Sequence, residues 1–271
     1  MWRLISCLAL VAAGCTGAEA PVSEDTTYPL VASSDLALGE DRVVVAFYDG
    51  ETRPIASPDL PVTLELRPPD GEPRREPAAF LWTIPGEKGV YTATVDLDQV
   101  GEWLVIVHPE GLPASDPATF QVLEDAATPQ VGEPAPASHS LTADDAPLVD
   151  ITTDPEPDPR FYELSIGEAI SSGRPTVVVF ATPRFCTSRV CGPTLDLVKA
   201  EAPAHPAVNF VHVEIYDLDR VPLELEPVPA VIEWGLPSEP WVFVVGSDGR
   251  ITGRFEGTVS AEELAAALEG A

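Results

Sequence analysis

The chain has 271 residues, 44 acidic against 15 basic side chains, a net charge of −29 and 30 prolines. That length allows about two domains. The charge argues against nucleic acid and anionic lipid surfaces as partners, because binding phosphates needs clustered Lys and Arg and no basic patch occurs. Its plainest physical meaning is a solvated surface with acidic linkers.

The chain opens M-W-R-L-I-S-C-L-A-L-V-A-A-G-C. Arg3 supplies a short positive region, and Leu4 to Ala13 an apolar core of secretory length. That core is too short to span a bilayer as a mature helix. The segment ends in A-A-G-C, which resembles the lipobox of bacterial lipoproteins, with Ala12 where leucine is usual. The resemblance implies a signal peptide over 1–14, a lipid on Cys15, anchorage to a bacterial membrane and an extracytoplasmic, cell-envelope location. An ordinary secretory signal cleaved nearby is the other reading. Either way Cys7 is removed, and with Cys15 lipidated Cys186 and Cys191 are the only thiols left. They would then lie in a compartment where disulfides persist. Residues 15–27, small, polar and acidic, read as a tether.

Residues 28–123 predict an all-β domain. R-V-V-V-A-F-Y (42–48), V-T-L-E-L-R (62–67), A-F-L-W-T-I (79–84), G-V-Y-T-A-T-V-D-L (89–97), E-W-L-V-I-V-H (102–108) and A-T-F-Q-V-L (118–123) are strand-length runs. Several alternate apolar and polar residues between turn signals. Six or seven strands in this length predict an immunoglobulin-like sandwich. The stretch G-V-Y-T-A-T-V-D-L-D-Q-V-G-E-W (89–103) resembles small extracytoplasmic sandwich domains such as the YtkA-like group. His108, alone at a strand end, reads as a surface residue, and Trp82 and Trp103 as core. Residues 124–160, with seven prolines and nine acids against one arginine, predict a linker. V-G-E-P-A-P (131–136) resembles the strand leading into thioredoxin-like domains of the TlpA and peroxiredoxin type, so part of this linker is expected to be ordered.

Residues 161–271 alternate helix and strand signals. Ser165 and Glu168 form a capping box that opens a short helix. T-V-V-V-F-A (176–181) reads as a buried strand, followed by T-P-R-F-C-T-S-R-V-C-G-P-T (182–194) and a helix to about Ala202, stopped by Pro203. V-N-F-V-H-V-E-I (208–215) is a second buried strand. W-V-F-V-V (241–245) and R-I-T-G-R-F-E (250–256) predict a hairpin. Ser260 and Glu263 cap a last helix. W-G-L-P-S-E-P-W-V-F-V-V (234–245), D-G-R (248–250), F-E-G (255–257) and S-A-E-E-L (260–264) together resemble the end of the thioredoxin pattern. The resemblance implies an α/β thioredoxin-like fold for the C-terminal domain, a cis bond before Pro240, and a substrate groove shaped by Pro240 with Trp241 after it, Thr182 and Pro183. Trp241 replaces the family's threonine.

A cysteine just past a strand and before a helix lies where backbone N–H groups and the helix dipole stabilise a thiolate. Four residues separate Cys186 and Cys191, where thioredoxins have two. Five helical steps rise about 7.5 Å, beyond the roughly 4.4–6.8 Å Cα separation of a disulfide. The pair can bond only if Cys186 lies in the loop. Pro193 fits a helix starting near Cys191, because proline is tolerated in a first turn. Two registers compete. Cys186 is the nucleophile in the preferred one; in the other, Cys191 of C-G-P-T is the helix-terminal thiolate and Cys186 attacks it from the loop.

The segment also resembles peroxiredoxin Q, in which a peroxide-reactive and a resolving cysteine stand five apart, though Thr182 is one residue too far from Cys186. A third resemblance is to SCO copper-handling proteins, with His212 as the candidate distal ligand, more simply read as a satisfied strand histidine. The leading expectation is a lipid-anchored thiol–disulfide oxidoreductase acting through Cys186 and Cys191 on protein thiols or disulfides of other extracytoplasmic proteins, with no cofactor or metal. A thiol peroxidase and a redox-inactive binding module with a structural disulfide are the alternatives.

Overall fold

The structure, a computed structural model, describes residues 27–221 and 224–271. The proposed signal peptide, Cys7, Cys15 and all but the last residue of the tether lie outside the described residues. Among the described residues no helix is long and apolar enough to cross a membrane.

Seven strands precede the acidic segment: β1 (Tyr28–Val31), β2 (Gly39–Tyr48), β3 (Val62–Arg67), β4 (Arg74–Ile84), β5 (Lys88–Leu97), β6 (Gly101–Pro109) and β7 (Ala118–Val122). They form one antiparallel sheet in the order β1-β2-β5-β4-β3-β6-β7. Its two edges approach each other, bridged in parallel at Ala37 and Leu123 and tied by Leu38 N–H to the Leu123 carbonyl at 3.0 Å. The predicted immunoglobulin-like sandwich is therefore corrected to a nearly closed barrel. The period-2 pattern is the same in both, since it specifies which side chains face inward but not whether the strands split into two sheets. Here β2, β4 and β5 run ten or eleven residues and curl together, with a bulge between Trp82 and Ile84. Inside lie Val43, Val45 and Phe47 of β2, Leu64 and Leu66 of β3, Tyr91 of β5, and Trp103 of β6.

The remaining elements are α1 (Leu148–Ile151), α2 (Ile166–Ser171), β8 (Thr176–Ala181), α3 (Cys191–Glu201), β9 (Asn209–Glu214), α4 (Pro229–Glu233), β10 (Trp241–Val245), β11 (Ile251–Glu256) and α5 (Ala261–Glu269). Four strands pair in the order β11-β10-β8-β9, with β8 and β9 parallel and the others antiparallel. Both predicted capping boxes are present, at Ser165–Glu168 and Ser260–Glu263. The expected α/β thioredoxin-like fold is corrected as well. Helix accounts for only 17% of the structure, which is mostly β, and the second unit is a four-stranded sheet with short helices of four to eleven residues. A local order of helix and strand signals leaves sheet size and wrapping open, which is how the expectation went astray.

Segment 124–160 is bound along this sheet. Gly132 and Ala135 donate to the carbonyls of Ile251 and Gly249, and Ile251 donates back to Glu133, at 2.8–2.9 Å. Farther upstream it presses on the turn after α4. Gly235 has φ +64°, and a Cβ there would lie 2.1 Å from the Ala127 carbonyl oxygen.

The barrel and the second sheet meet through buried charge. Arg254 of β11 donates to Asp35 and Thr128 from one guanidinium nitrogen and to Asp41 from the other, at 2.8–3.2 Å. Its guanidinium carbon lies 5.4 Å from the Trp241 ring centroid. Arg42 adds a bidentate pair with Glu263. Removing one partner from a buried ion pair leaves uncompensated charge and costs roughly 3–5 kcal/mol. Arg254→Leu is expected to lower unfolding free energy by about that much in urea titrations. Adding Asp35→Asn to it should restore part of the loss.

On the outer face of the barrel, the Glu65 carboxylate is held by Arg67 at 2.6 Å, Arg75 at 2.6 Å and His108 at 3.1 Å, so His108 is not the isolated residue its position suggests. Hydrogen bonds from Arg67 and then Arg75 lower the Glu65 pKa from 4.5 to about 2. A depressed carboxylate stabilises the fold fully above its unfolded pKa and loses that effect as pH falls through the folded one. Acid unfolding followed by circular dichroism should show this loss between pH 4.5 and about 2, and Glu65→Gln should flatten that limb.

Candidate active site

The cysteine loop leaves the end of β8. Ala181 is pinned there by His212, whose Nε2–H donates to its carbonyl at 3.0 Å, while Nδ1 accepts from the Tyr162 hydroxyl at 2.7 Å. Burial lowers the His212 pKa to about 4, so the ring is neutral at pH 7 with both nitrogens engaged. It holds structure and has no lone pair to offer a metal. Among the described residues no three metal-ligating side chains come together.

From Ala181 the chain turns back on itself. Cys186 N–H donates to the Thr182 carbonyl at 3.1 Å, and Arg189 N–H to the Cys186 carbonyl at 3.2 Å. Arg189 has φ +66°, the left-handed region that bulky residues rarely adopt. The helix α3 then starts at Cys191, without a side-chain cap at Val190. Its first N–H groups are therefore free to meet something else. Cys191 N–H points at Cys186 Sγ, 3.4 Å away, and the Ser188 hydroxyl lies 3.1 Å from the same sulfur. Pro193 stands in the first helical turn, where its missing N–H costs nothing.

Both thiols are free and buried, Cys186 at 7% exposure and Cys191 at 0%. The hydrogen bond from the Cys191 thiol, more than any other contact, lowers the Cys186 pKa from 9.0 to about 5; the Ser188 hydroxyl and the N–H groups of Cys191 and Val190 add to it against the opposing effect of burial. The same thiol–thiol bond, followed by burial, pushes Cys191 up. The pair is thus a thiolate held by a thiol. The donors gather on one sulfur: the Cys191 N–H and the Ser188 hydroxyl both lie on Cys186 Sγ, so Cys186 is the thiol whose thiolate they favour.

Among the described residues no arginine reaches the sulfurs. Arg184 lies over the Phe185 ring at 5.5 Å, and Arg189 pairs with Glu87 of the barrel at 3.1 Å. The surroundings are acidic instead. Burial and then the charge on Cys186 raise the Glu239 carboxyl pKa. Burial first, then Glu239 and both cysteines, raise Tyr216. Glu214, at the end of β9, is raised by burial and accepts from Thr153 N–H and hydroxyl at 2.9 and 2.5 Å.

The other expected site residues divide. The Glu239–Pro240 bond is cis, as the sequence predicts, and Glu239 places that turn beside the thiols. Thr182 is fully buried with its hydroxyl unpartnered, and Pro183 is partly exposed on the cysteine loop. Trp241 is not at the site. Along β10, Val242 and Val244 pack on the face shared with the cysteines, whereas Trp241, Phe243 and Val245 pack on the opposite face. The Trp241 indole is 1% exposed, donates to the Ser238 hydroxyl and stacks on Phe243. Ser188, Glu214 and Glu239 were missed. Each had a faint signal: a hydroxyl between the cysteines, a carboxylate ending an apolar strand, and an acid before the cis proline.

No protein-family model matches the chain, and no curated protein matches it.

Because the Cys191 thiol contributes most to the thiolate, Cys191→Ala should raise the Cys186 pKa well above about 5, and Ser188→Ala should raise it less. Alkylation rate against pH, with the modified cysteine identified by mass spectrometry, reads this directly. An unchanged midpoint in Cys191→Ala would remove the thiol–thiol bond as the cause.

Proposed function

We propose that the chain is a thiol–disulfide oxidoreductase in which Cys186 and Cys191 cycle between dithiol and disulfide. The observation that carries this reading is the hydrogen-bonded pair, in which a low-pKa thiolate at a helix N-terminus is backed by a buried thiol. A structural thiol pair has no need of that asymmetry. Attack on a disulfide requires a thiolate, and a resolving thiol must stay protonated until the mixed disulfide exists.

The Cys186 thiolate attacks one sulfur of a partner disulfide. A Cys186–partner bond forms, the partner's own S–S bond breaks, and its second sulfur leaves as a thiolate that takes up a proton. Cys191 then loses its proton and attacks Cys186 Sγ. The Cys186–Cys191 bond forms and the partner's first sulfur departs. Two electrons pass to the partner, and run in reverse the same steps oxidise a partner dithiol. Pro240 and Pro183 border the approach, and Trp241 acts only through packing.

The substrates we infer are thiols or disulfides of other extracytoplasmic proteins. The lipid on Cys15 and the cell-envelope location rest on the A-A-G-C motif. Peroxide reduction has less behind it, since among the described residues no cation lies at the sulfurs to polarise a peroxide.

The test is the reduction potential of the pair, measured by thiol trapping in glutathione buffers. A value between roughly −120 and −270 mV is expected for a working oxidoreductase, whereas one below about −300 mV would make the bond a structural staple. Cys186→Ser should abolish insulin-disulfide reduction, and Cys191→Ser should accumulate a mixed disulfide on Cys186. Full activity in Cys186→Ser would overturn the reading.

A further inference from the structure

Across α3 from Cys191, whose side chain is on the buried face of that helix, a cleft of about 670 Å³ opens between the barrel and α3, within the roughly 300–1,000 Å³ range of ligand sites. Phe80 and Trp82 of β4 form one wall, and Pro193 and Leu197 of α3 the other. Pro193 is two residues from Cys191, and Val259, which also lines the cleft, packs in the same apolar cluster as both cysteines. One end is closed by the turn between β4 and β5, where Glu87 holds Arg189 of the cysteine loop. Trp82 is 36% exposed, although Phe80 meets it edge-on at 4.9 Å. A half-open indole on a rigid strand is a common anchor at interfaces.

Charge selects the occupant. Asp196, which pairs with Lys199 at 2.9 Å along α3, and Glu262, both exposed, line the cleft, and among the described residues lining it none is lysine or arginine. A second copy of a chain with net charge −29 would be repelled from this rim. We propose that the cleft is the docking groove for the polypeptide of the redox partner, taking large apolar side chains between Trp82 and Leu197 with Lys or Arg against Asp196 and Glu262. This rests on the thiol–disulfide exchange reading and adds to it the partner's chemistry: an apolar, basic segment flanking the reactive cysteine. The groove is built jointly by barrel and α3, which gives the barrel a role in substrate choice.

The test separates docking from chemistry. The full chain carrying Cys186→Ser and Cys191→Ser is titrated into a fluorescently labelled, cysteine-free peptide of leucine, phenylalanine and lysine, with anisotropy as the readout. Saturable binding is expected, weakened roughly tenfold by Trp82→Ala, as for an interface hot spot, and by the exposed pair Asp196→Lys with Glu262→Lys. A peptide with glutamate for lysine should not bind. Equal binding of the acidic peptide, or no effect of either variant, would overturn the proposal. So would a concentration-dependent dimer, lost on Trp82→Ala, because the occupant would then be a second copy. Exchange with glutathione disulfide by the unmodified protein reports on the thiol pair alone. Its absence alongside intact peptide binding would fail the redox reading and leave the groove standing.

Discussion

The arrangement of this protein turns on one buried guanidinium. Arg254 projects from β11 and gathers Asp35, Asp41 and Thr128, drawn from the barrel and from the segment after it. Charges at such a junction are stable only in a narrow geometry, because each unpaired member would be desolvated without compensation. The cluster therefore sets how barrel and sheet face each other. With Arg42–Glu263 beside it, it brings β4 within reach of α3, and so creates the cleft on the side of that helix away from Cys191.

The thiol site is economical in a different sense. Among the described residues no cation supports the Cys186 sulfur. Its hydrogen bonds come from a serine hydroxyl and the backbone N–H at the uncapped start of α3. An acidic setting of Glu239, Glu214 and Tyr216 surrounds these donors. Burial opposes a thiolate here, while short-range hydrogen bonding favours it, and the hydrogen bonds prevail because they act on the sulfur directly. Such a thiolate depends on the neighbouring thiol being reduced and protonated.

His212 illustrates how a suggestive residue can be structural. Its position in a strand near two cysteines invites a metal. The chain of hydrogen bonds from Thr152 through Tyr162 to His212 and on to Ala181 uses both ring nitrogens, and burial keeps the ring neutral. Its effect on the site is positional, since it holds the strand end from which the cysteine loop departs.

Much that is local was legible in the sequence. The strands of the first unit, the two capping boxes and the hairpin of β10 and β11 follow from side-chain periodicity and capping chemistry within a few residues; Pro193 suits a helix start near Cys191, and the cis bond before Pro240 is what the resemblance to the thioredoxin pattern implies. The sequence left open whether Cys186 lies in the loop; it said only that the pair can bond in that placement, because five helical steps overreach a disulfide. Sheet closure was not: whether seven strands split into a sandwich or curl into a barrel is decided by how distant edges such as Ala37 and Leu123 meet. The same holds for the second unit, where helix and strand signals in sequence order suggested more helix than the packed sheet contains. Trp241 was assigned to the groove because it follows Pro240, but the alternation of a strand sends it to the far face. The low pKa of Cys186, the acids around it and the cleft shared with the barrel arise from residues far apart in the chain. Hydrogen bonds and desolvation depend on which atoms end up as neighbours, and only the tertiary structure decides that.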